Sequence, residues 1–308
     1  MANEPKPISD PLKEMMARID AKRSGGVVDE HTRKAVQAVA EEIAPEGKLP
    51  PQKQWLFFSP VPSDLCRVSP FFIMSKQELA KRPYIEDLVI TNNNWGKITY
   101  TGGKLSVFDE TVFLSIIALL DEPGAKEIVK VDGKYTTVWE GPVLKILELM
   151  GLKSDGKENY NRVRKSIKTM RATAFELILK SGNIHGCGLI DDYKIIEKSK
   201  HLRVVINPLF YELYAKGAVT RLDVIRRSKL PGSVPKCLYR FIMSHRDGTW
   251  KGHWKTLCGA LNLDLKQEEK KVRHTLKCAI NTLIKHEILN DRSSISGEVV
   301  TLHRVKRP

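Results

Sequence analysis

Apolar residues recur three and four positions apart in several stretches of the chain, and this spacing predicts its helices. The most apolar stretch covers residues 112–120, and Asp109 stands just before it, where a short polar side chain can cap a helix. Shorter amphipathic helices are predicted over residues 141–150, 234–245 and 254–261. The apolar faces of these helices form the predicted core.

Runs of β-branched and aromatic residues, bounded by turn-forming residues, predict the strands. Residues 97–106 surround the pair Gly102-Gly103, which predicts a β-hairpin with a Gly-Gly turn. Further strands are predicted over residues 135–139, 188–197, 201–207 and 299–303. Residues 291–298, just before the last strand, are predicted to form a flexible wing.

Two longer predicted helices, over residues 157–180 and 266–286, each combine an apolar stripe with a basic face. At about 100° per residue, the apolar positions fall on one side of each helix. The stripes are Val163, Ile167, Met170, Ala174 and Ile178 in the first helix, and Val272, Leu276, Ala279, Ile280 and Leu283 in the second. The opposite faces carry Asn161, Arg164, Lys165 and Lys168 in the first helix, and Lys266, Lys270, Arg273, His274, Lys277 and Asn281 in the second.

The same order of predicted elements occurs twice along the chain: two helices, a long basic helix and then strands. This is the order of a winged-helix domain. We therefore predict an α+β fold, mainly helical, with two tandem winged-helix DNA-binding domains over residues 61–215 and 216–308. Residues 1–60 are predicted to be a flexible arm, because the Pro- and Gly-rich run at 45–51 can neither continue a helix nor enter a central strand.

Positive charge is concentrated in the second half of the chain. The 308 residues include 51 lysines and arginines against 36 aspartates and glutamates, a net charge of +15. Residues 151–308 hold 32 of these cations but only 15 of the carboxylates, so they alone carry +17. Such a localised charge favours a polyanionic partner. The alternative is an ordinary solvated surface.

The two basic helices have the side chains that read DNA in the major groove. Arg164 and Arg273 are the candidate guanine readers, and Asn161 suits adenine. Lys270 and Lys277 suit phosphates, which position a protein without reading sequence. Tandem reading helices imply a bipartite site on double-stranded DNA. The alternative for each helix is an exposed amphipathic surface with no such role.

Three parts of the sequence are similar to one protein family. They are Lys-Ile-Thr-Tyr-Thr-Gly at 97–102, Arg-Ala-Thr-Ala-Phe at 171–175, and residues 244–246 with 257–259 and 270–273. Through them the chain resembles the TrfA-type plasmid replication initiators, iteron-binding Rep proteins with tandem winged helices. The resemblance implies binding to direct repeats at a plasmid origin, opening of the adjacent AT-rich duplex, and the host replicative helicase and initiator as partners. It also implies a monomer–dimer equilibrium.

The same resemblance implies a peptide of Gln, Leu and Phe that binds the sliding clamp ahead of the first domain. Gln54, Leu56 and Phe57 are the matching residues, in an apolar segment that can lay its side chains into a partner pocket. The family pattern has one more residue between Gln and Leu than Gln54 allows, and starting at Gln52 leaves one too many. The alternative is that these apolar side chains pack against the first domain.

The sequence contains no catalytic or cofactor-binding motif. It has no GxxxxGK[ST] phosphate loop and no His-hydrophobic-His pair near a Tyr, as a nicking initiator requires. His185 and Cys187 lack partner ligands at zinc-like spacing. We therefore expect a protein that is not an enzyme and that needs no cofactor or metal.

The leading hypothesis is a replication initiator, and the alternative is a sequence-specific transcriptional repressor that uses the same winged helices. A DNA strand-transfer or nicking enzyme is a third hypothesis with little support in the sequence. No run approaches the roughly 18 apolar residues that cross a bilayer. The five cysteines are dispersed without a CxxC pair, which is typical of reduced thiols. We expect a cytoplasmic protein that binds no membrane.

Overall fold

Strands and helices alternate along the chain, and the computed structural model describes residues 58–62, 66–67, 69–92, 96–120, 126–131, 134–152, 156–179, 182–208 and 219–305. The first half contains β1 (Phe58–Pro62), β2 (Phe71–Phe72), α1 (Lys76–Lys81), β3 (Tyr84–Asn92), β4 (Gly96–Gly103), β5 (Leu105–Ser106), α2 (Val107–Leu120), β6 (Lys126–Val131), β7 (Lys134–Pro142) and α3 (Val143–Leu149). It continues with α4 (Lys157–Arg171), β8 (Ala174–Leu179), β9 (Ile184–Cys187), β10 (Ile190–Ile196) and β11 (His201–Ile206).

The second half contains β12 (Val219–Asp223), α5 (Val224–Ser228), α6 (Ser233–Met243), β13 (Thr249–His253), α7 (Trp254–Ala260), α8 (Glu269–Lys285), β14 (Ser294–Ser296) and β15 (Val299–His303). The chain has a mixed α/β fold, so the prediction of a mainly helical protein is wrong. Strands that the sequence pattern did not reveal, such as β3 and β8, account for the difference.

All described residues lie in one compact unit, Pro51–Pro308. The predicted arm over residues 1–60 lies outside the described residues except for its last three, which begin β1. Among the described strands, the larger sheets have the orders β3-β4-β8-β9, β10-β11-β7-β6 and β13-β15-β14. The smaller pairings are β1 with β12 and β2 with β5. Every larger sheet is antiparallel.

The predicted hairpin over residues 97–106 is wrong. β4 continues to Gly103 without a turn, and pairs with β3 on one edge and with β8 on the other. Gly102 serves a close approach instead, because its φ is +145° and a Cβ on it would lie 2.9 Å from Thr173 Cγ2. The glycine therefore lets β4 pass against the chain that leaves α4.

The first basic helix is shorter than predicted. It ends at Arg171 rather than Lys180, because the Thr173 hydroxyl donates to a carbonyl of the last turn (2.8 Å) and the apolar run that follows favours a strand. Ala174 and Ile178, predicted in the buried stripe of the helix, lie on β8 instead. The other predicted stripe residues of this helix are buried.

The second basic helix begins at Glu269 rather than Lys266. The Lys266 amide donates to Asp264 Oδ1 (2.9 Å), so the chain is still in a turn closed by a side chain. The predicted stripe of this helix is confirmed, because all of its members are buried: Val272, Leu276, Ala279, Ile280 and Leu283.

Helix α2 lies at the centre of the core. All of its residues except Phe108 are buried, and it packs against α3, α4, α5, β1 and β7. Asp109, the predicted cap, lies in its first turn and accepts from the Ser106 amide (2.7 Å) and the Arg82 guanidinium (2.8 Å). The burial of α2 therefore extends beyond the apolar stretch at residues 112–120 that the sequence pattern indicated.

A buried ion cluster joins α2 to the second half of the chain. The Glu110 carboxylate accepts from Arg227 Nη2 of α5 and from Arg240 Nη1 of α6, both at 2.5 Å. Arg227 also donates to Thr111 Oγ1 (2.8 Å), and Arg240 donates to the Cys66 carbonyl (3.2 Å). The three charged side chains are at most 2% exposed. Because a buried charge is costly without a counter-charge, removal of any one of these side chains would destabilise the fold.

Two parts of the chain repeat one order of elements. The second repeat is α6, β13, α7, α8, β14 and β15, and the first repeat has the same order as α2, β7, α3, α4, β10 and β11. Among the described residues, the first repeat contains three additional strands, β6 before β7 and the pair β8 and β9 before β10. In each, the last strand lies between the other two, as β10-β11-β7 and β14-β15-β13. The chain leaves α3 through Gly151 (φ +76°) and leaves α7 through Asn262 (φ +53°), so both repeats have a left-handed residue there.

The two repeats also share a local sequence signature. Trp139 and Gly141 on β7 correspond to Trp250 and Gly252 on β13. In both pairs the indole lies over the glycine, since a Cβ would lie 2.8 Å from Trp139 Cζ2 and 2.7 Å from Trp250 Cζ2. The sequence analysis missed this Trp-x-Gly repeat.

The start of the described chain contacts the second repeat and the strand before it. β1 pairs antiparallel with β12. Arg67 Nη2 donates to the Ser244 carbonyl (3.2 Å), and Asn262 Nδ2 donates to the carbonyls of Ser69 (2.6 Å) and Phe71 (2.9 Å). These bonds attach the left-handed turn after α7 to residues from the other end of the described chain.

The buried cluster predicts a large loss of stability when Glu110 is neutralised. Glu110→Gln leaves two buried guanidinium groups without a counter-charge, so the free energy of unfolding should fall by about 3–5 kcal/mol. Urea denaturation measures it. The matched control Glu148→Gln changes an exposed residue of α3 and should cost less than about 0.5 kcal/mol. Equal losses in the two variants would contradict the role given to the cluster.

Candidate nucleic-acid interface

Helix α4 is seated on the first repeat by its apolar side. It packs against α2, α3 and β10, and its buried residues are Tyr160, Val163, Ser166, Ile167 and Met170. The Arg162 guanidinium lies 4.3 Å from the ring centroid of Phe108 on α2, a cation–π contact at the edge of this seat. The helix is therefore fixed in rotation, and its outward face is defined.

The outward face of α4 brings together the four side chains that the sequence predicted for DNA. They are all exposed: Asn161, Arg164, Lys165 and Lys168. Lysine and arginine side chains on one solvent-facing side of a helix form a cationic surface. Their role in DNA binding stays a prediction at this point.

Helix α8 is seated in the same way on the second repeat, against α6 and β14. Lys270, His274 and Lys277 are exposed on its outward side. Arg273 is half-buried at the flank of the helix. Lys266 is exposed but lies before the helix, so the structure does not bring it onto the helical face with the others.

The two basic helices contain one short motif in common. Val163-Arg164-Lys165-Ser166-Ile167-Lys168 in α4 corresponds to Val272-Arg273-His274-Thr275-Leu276-Lys277 in α8. In each copy the first and fifth residues are buried. The alignment pairs each predicted contact residue of α4 with one of α8, and leaves Lys266 outside the pairs: Asn161 with Lys270, Arg164 with Arg273, Lys165 with His274, and Lys168 with Lys277.

In the first repeat, the motif arginine contacts the hairpin that follows. Arg164 Nη1 lies 3.0 Å from Glu197 Oε1, and Glu197 lies in the turn between β10 and β11. The Tyr160 hydroxyl donates to Glu197 Oε2 at 3.0 Å. Burial, followed by this hydrogen bond, raises the pKa of the Tyr160 phenol. One carboxylate is therefore held by two side chains of α4.

The second repeat has the same arrangement. Arg273 Nη1 donates to Glu298 Oε1 at 2.9 Å, and Glu298 lies in the turn between β14 and β15. Trp254 Nε1 donates to Glu298 Oε2 at 2.6 Å, and His253 Nε2 lies 3.0 Å from the same oxygen. The Trp254 hydrogen bond, together with the charge of Arg273, lowers the pKa of Glu298. Arg273 also donates to the Gly297 carbonyl.

Sequence reasoning missed both hairpin glutamates, Glu197 and Glu298, as well as the exposed cation Lys198 beside the first of them. The available signal was an acidic residue in the turn of each predicted terminal hairpin, within a strongly basic half of the chain. Their contacts with the arginines depend on how the hairpins fold back onto α4 and α8.

One exposed thiol lies on the outward side of α8. Cys278 Sγ is 3.5 Å from His274 Nε2. Burial raises the pKa of the other well-covered thiols, Cys66 to about 12 and Cys237 and Cys258 to about 11. Those three stay protonated and inaccessible, whereas Cys278 is open to reagents.

Three further predictions concern the clamp-binding peptide, metal binding and the membrane. Gln54, Leu56 and Phe57 lie outside them. In the described part of the chain, no group of three His, Cys, Asp or Glu side chains is arranged to hold a metal ion. No helix there is both long enough and apolar enough to cross a bilayer.

Comparison with known proteins shows the fold. The sequence matches no protein family and no curated protein. A crystal structure of domains 2 and 3 of RctB, a replication initiator of Vibrio chromosome II, superposes with a TM-score of 0.52 at 12% identity, over 79% of this chain and 98% of that one. A second RctB structure covers 58% of this chain and 91% of its own, at 14% identity, with a TM-score of only 0.34. The first superposition shows that the chain shares the fold of RctB domains 2 and 3, and this likeness does not single out TrfA-type initiators.

Proposed function

We propose that this protein is a plasmid replication initiator that binds repeated sequences, or iterons, in double-stranded origin DNA. The observation that carries the proposal is the repeated Val-Arg-x-Ser/Thr-Ile/Leu-Lys motif, which presents equivalent cations on one outward helix face in each of two repeats. The shared fold with domains of RctB, itself a replication initiator, supports the same class.

Each repeat is proposed to be a winged helix. The order helix, strand, helix, helix, strand, strand supports this interpretation in the second repeat, and in the first repeat once its additional strands β6, β8 and β9 are set aside. In both repeats the last strand lies between the other two strands of this order. In such a domain the third helix enters the major groove and the terminal hairpin lies beside it. Helices α4 and α8 would then read two segments of one bipartite site.

The side chains divide between reading and positioning. Lys165, Lys168, Lys270 and Lys277 are long exposed cations that suit phosphates. Asn161 suits an adenine edge, and the motif arginines suit guanine. Several phosphate contacts make binding strongly dependent on salt, because each contact releases condensed counterions.

The proposed protein works without enzymatic chemistry, in the cytoplasm. Binding energy at the repeats distorts the adjacent AT-rich duplex, and the host replicative helicase and initiator are then recruited. The resemblance to TrfA-type initiators adds a monomer–dimer equilibrium and a sliding-clamp contact through Gln54, Leu56 and Phe57. These partners are proposals from the resemblance and the motif.

Footprinting tests the proposed function directly. Nuclease protection on the DNA segment that encodes the protein should show evenly spaced direct repeats, with enhanced cleavage in the neighbouring AT-rich duplex. A transcriptional repressor would instead protect inverted half-sites and leave the flanking duplex undistorted. Absence of any protected sequence in low-salt buffer would refute the proposal.

Neutralising the phosphate-facing lysines should weaken binding in a characteristic way. The double variant Lys165→Ala with Lys168→Ala is expected to make the fall of log affinity with log salt less steep by about 2, roughly 0.9 for each lost phosphate contact. Fluorescence anisotropy with a duplex of about one bipartite site, 25–30 bp, measures the slope. The control is Lys76→Ala with Lys81→Ala, two exposed lysines of α1 that remove the same charge. Equal slopes in both double variants would count against α4 as a contact surface.

The exposed thiol of α8 provides an independent test. Iodoacetamide should label Cys278 in the native protein, while Cys66, Cys237 and Cys258 stay unlabelled because they are buried. Saturating DNA should slow labelling of Cys278, since the thiol shares its helix face with His274, and high salt should restore the rate by releasing the DNA. Peptide mass spectrometry reads each site. A Cys278 rate that DNA leaves unchanged would exclude this face from the interface.

A further inference from the structure

We propose that the hairpin glutamates, Glu197 and Glu298, are specificity-determining residues that hold the motif arginines away from DNA phosphates. Each carboxylate neutralises and orients the guanidinium of its own repeat, so that the arginine is available to a correctly placed guanine edge but gains little from a random phosphate. This inference rests on the proposed function and adds to it a means of suppressing non-specific binding.

The carboxylates are held in position independently of the arginines. In the first repeat the Tyr160 hydroxyl binds the second oxygen of Glu197 at 3.0 Å, and in the second repeat Trp254 Nε1 binds that of Glu298 at 2.6 Å. The aromatic donor leaves one oxygen of each carboxylate directed to the arginine. A glutamate fixed in this way stays beside the reading helix when DNA arrives, and its charge repels any phosphate that approaches the same guanidinium.

The ion pairs are weak enough to be exchanged. Arg164 and Glu197 are both more than half exposed, and Arg273 and Glu298 are 29% and 52% exposed. Exposed pairs of this kind contribute little to stability because water and salt screen them. A guanine edge can therefore accept hydrogen bonds from the guanidinium without adding negative charge, whereas a phosphate would place a second anion beside the carboxylate.

The arrangement occurs twice: in each repeat a glutamate of the hairpin contacts the motif arginine of the basic helix. The first turn is four residues long, Glu197 to Lys200, and the second consists of Gly297 and Glu298. The two hairpins differ in length and sequence, yet each places a carboxylate within 3.0 Å of the motif arginine. A negative charge on a surface otherwise rich in lysine and arginine weakens attraction to DNA. Its recurrence at the same contact indicates a role in recognition.

The test compares Glu197→Gln, Glu298→Gln and the double variant in the full chain. The probes are a random-sequence duplex of about 30 bp and a duplex of equal length taken from the footprinted repeats, titrated across a series of salt concentrations. The double variant should bind the random duplex about tenfold more tightly in low salt, with a salt slope steeper by about 2, because Arg164 loses its carboxylate partner and Arg273 keeps only Glu269, at 3.5 Å. Affinity for the repeat duplex should rise less, so the ratio of the two affinities falls.

Two controls separate this role from a structural one. Glu86→Gln makes the same charge change at an exposed residue of β3, in a different sheet from either hairpin, and should leave both affinities and both slopes near those of the unaltered protein. In a background of Arg164→Gln and Arg273→Gln, the hairpin variants should have no more effect than Glu86→Gln, since the glutamates act through the arginines. Thermal denaturation confirms that every variant is folded.

The possible failures are distinguishable. If the unaltered protein binds neither duplex in a salt-dependent way, the proposed function is wrong and this inference is lost with it. If it binds the repeats, but the hairpin variants match Glu86→Gln or keep their effect without the arginines, the inference alone is overturned. Weaker binding of the hairpin variants to both duplexes would also overturn it, because the glutamates would then merely support the hairpins.

Discussion

The contact of Glu110 with Arg227 and Arg240 is the constraint on which the rest of the structure depends. Two guanidinium groups and one carboxylate leave an excess of positive charge in the core, and burial together with Arg227 lowers the pKa of the neighbouring Lys236. Charges so placed are tolerated only in one arrangement. Because Glu110 belongs to the first repeat and Arg240 to the second, this arrangement fixes one repeat against the other. The outward faces of α4 and α8, which belong to different repeats, are held in a fixed relation by it.

The helices could be predicted from the sequence far better than the strands. The stripe of α8, from Val272 to Leu283, follows from spacing within one helix, and the structure buries each member. The end of α4 and the sheet built on β4 could not be predicted, since they depend on partners distant in sequence. Phe175 on β8 pairs with Tyr100 on β4. Position 102 requires a glycine because Thr173 lies close to it, and not because the chain turns there. Local patterns contain no information about such pairings.

In the candidate site too, the residues on the helices could be predicted from the sequence and the contacts made by the hairpins could not. The outward faces of α4 and α8 follow from helical periodicity, so most of the predicted residues are exposed on these faces. Two exceptions are Lys266, which lies before α8, and Arg273, which is half-buried. The hexapeptide that relates the two helices was visible in the sequence and becomes meaningful once both copies occupy equivalent places. The contacts of Glu197 and Glu298 arise only when each hairpin folds back, and no spacing rule connects them to the arginines.

The bonds from Asn262 to the Ser69 and Phe71 carbonyls have a consequence for how the protein can be dissected. The bend that leads into α8 is hydrogen-bonded to backbone that precedes the first repeat, and β12 pairs with β1. The linear order of the chain therefore does not coincide with its physical parts. A fragment that contains the second repeat alone would lack both strands of the β1–β12 ladder and the residues that anchor that bend, so α8 would not be held as it is in the intact molecule.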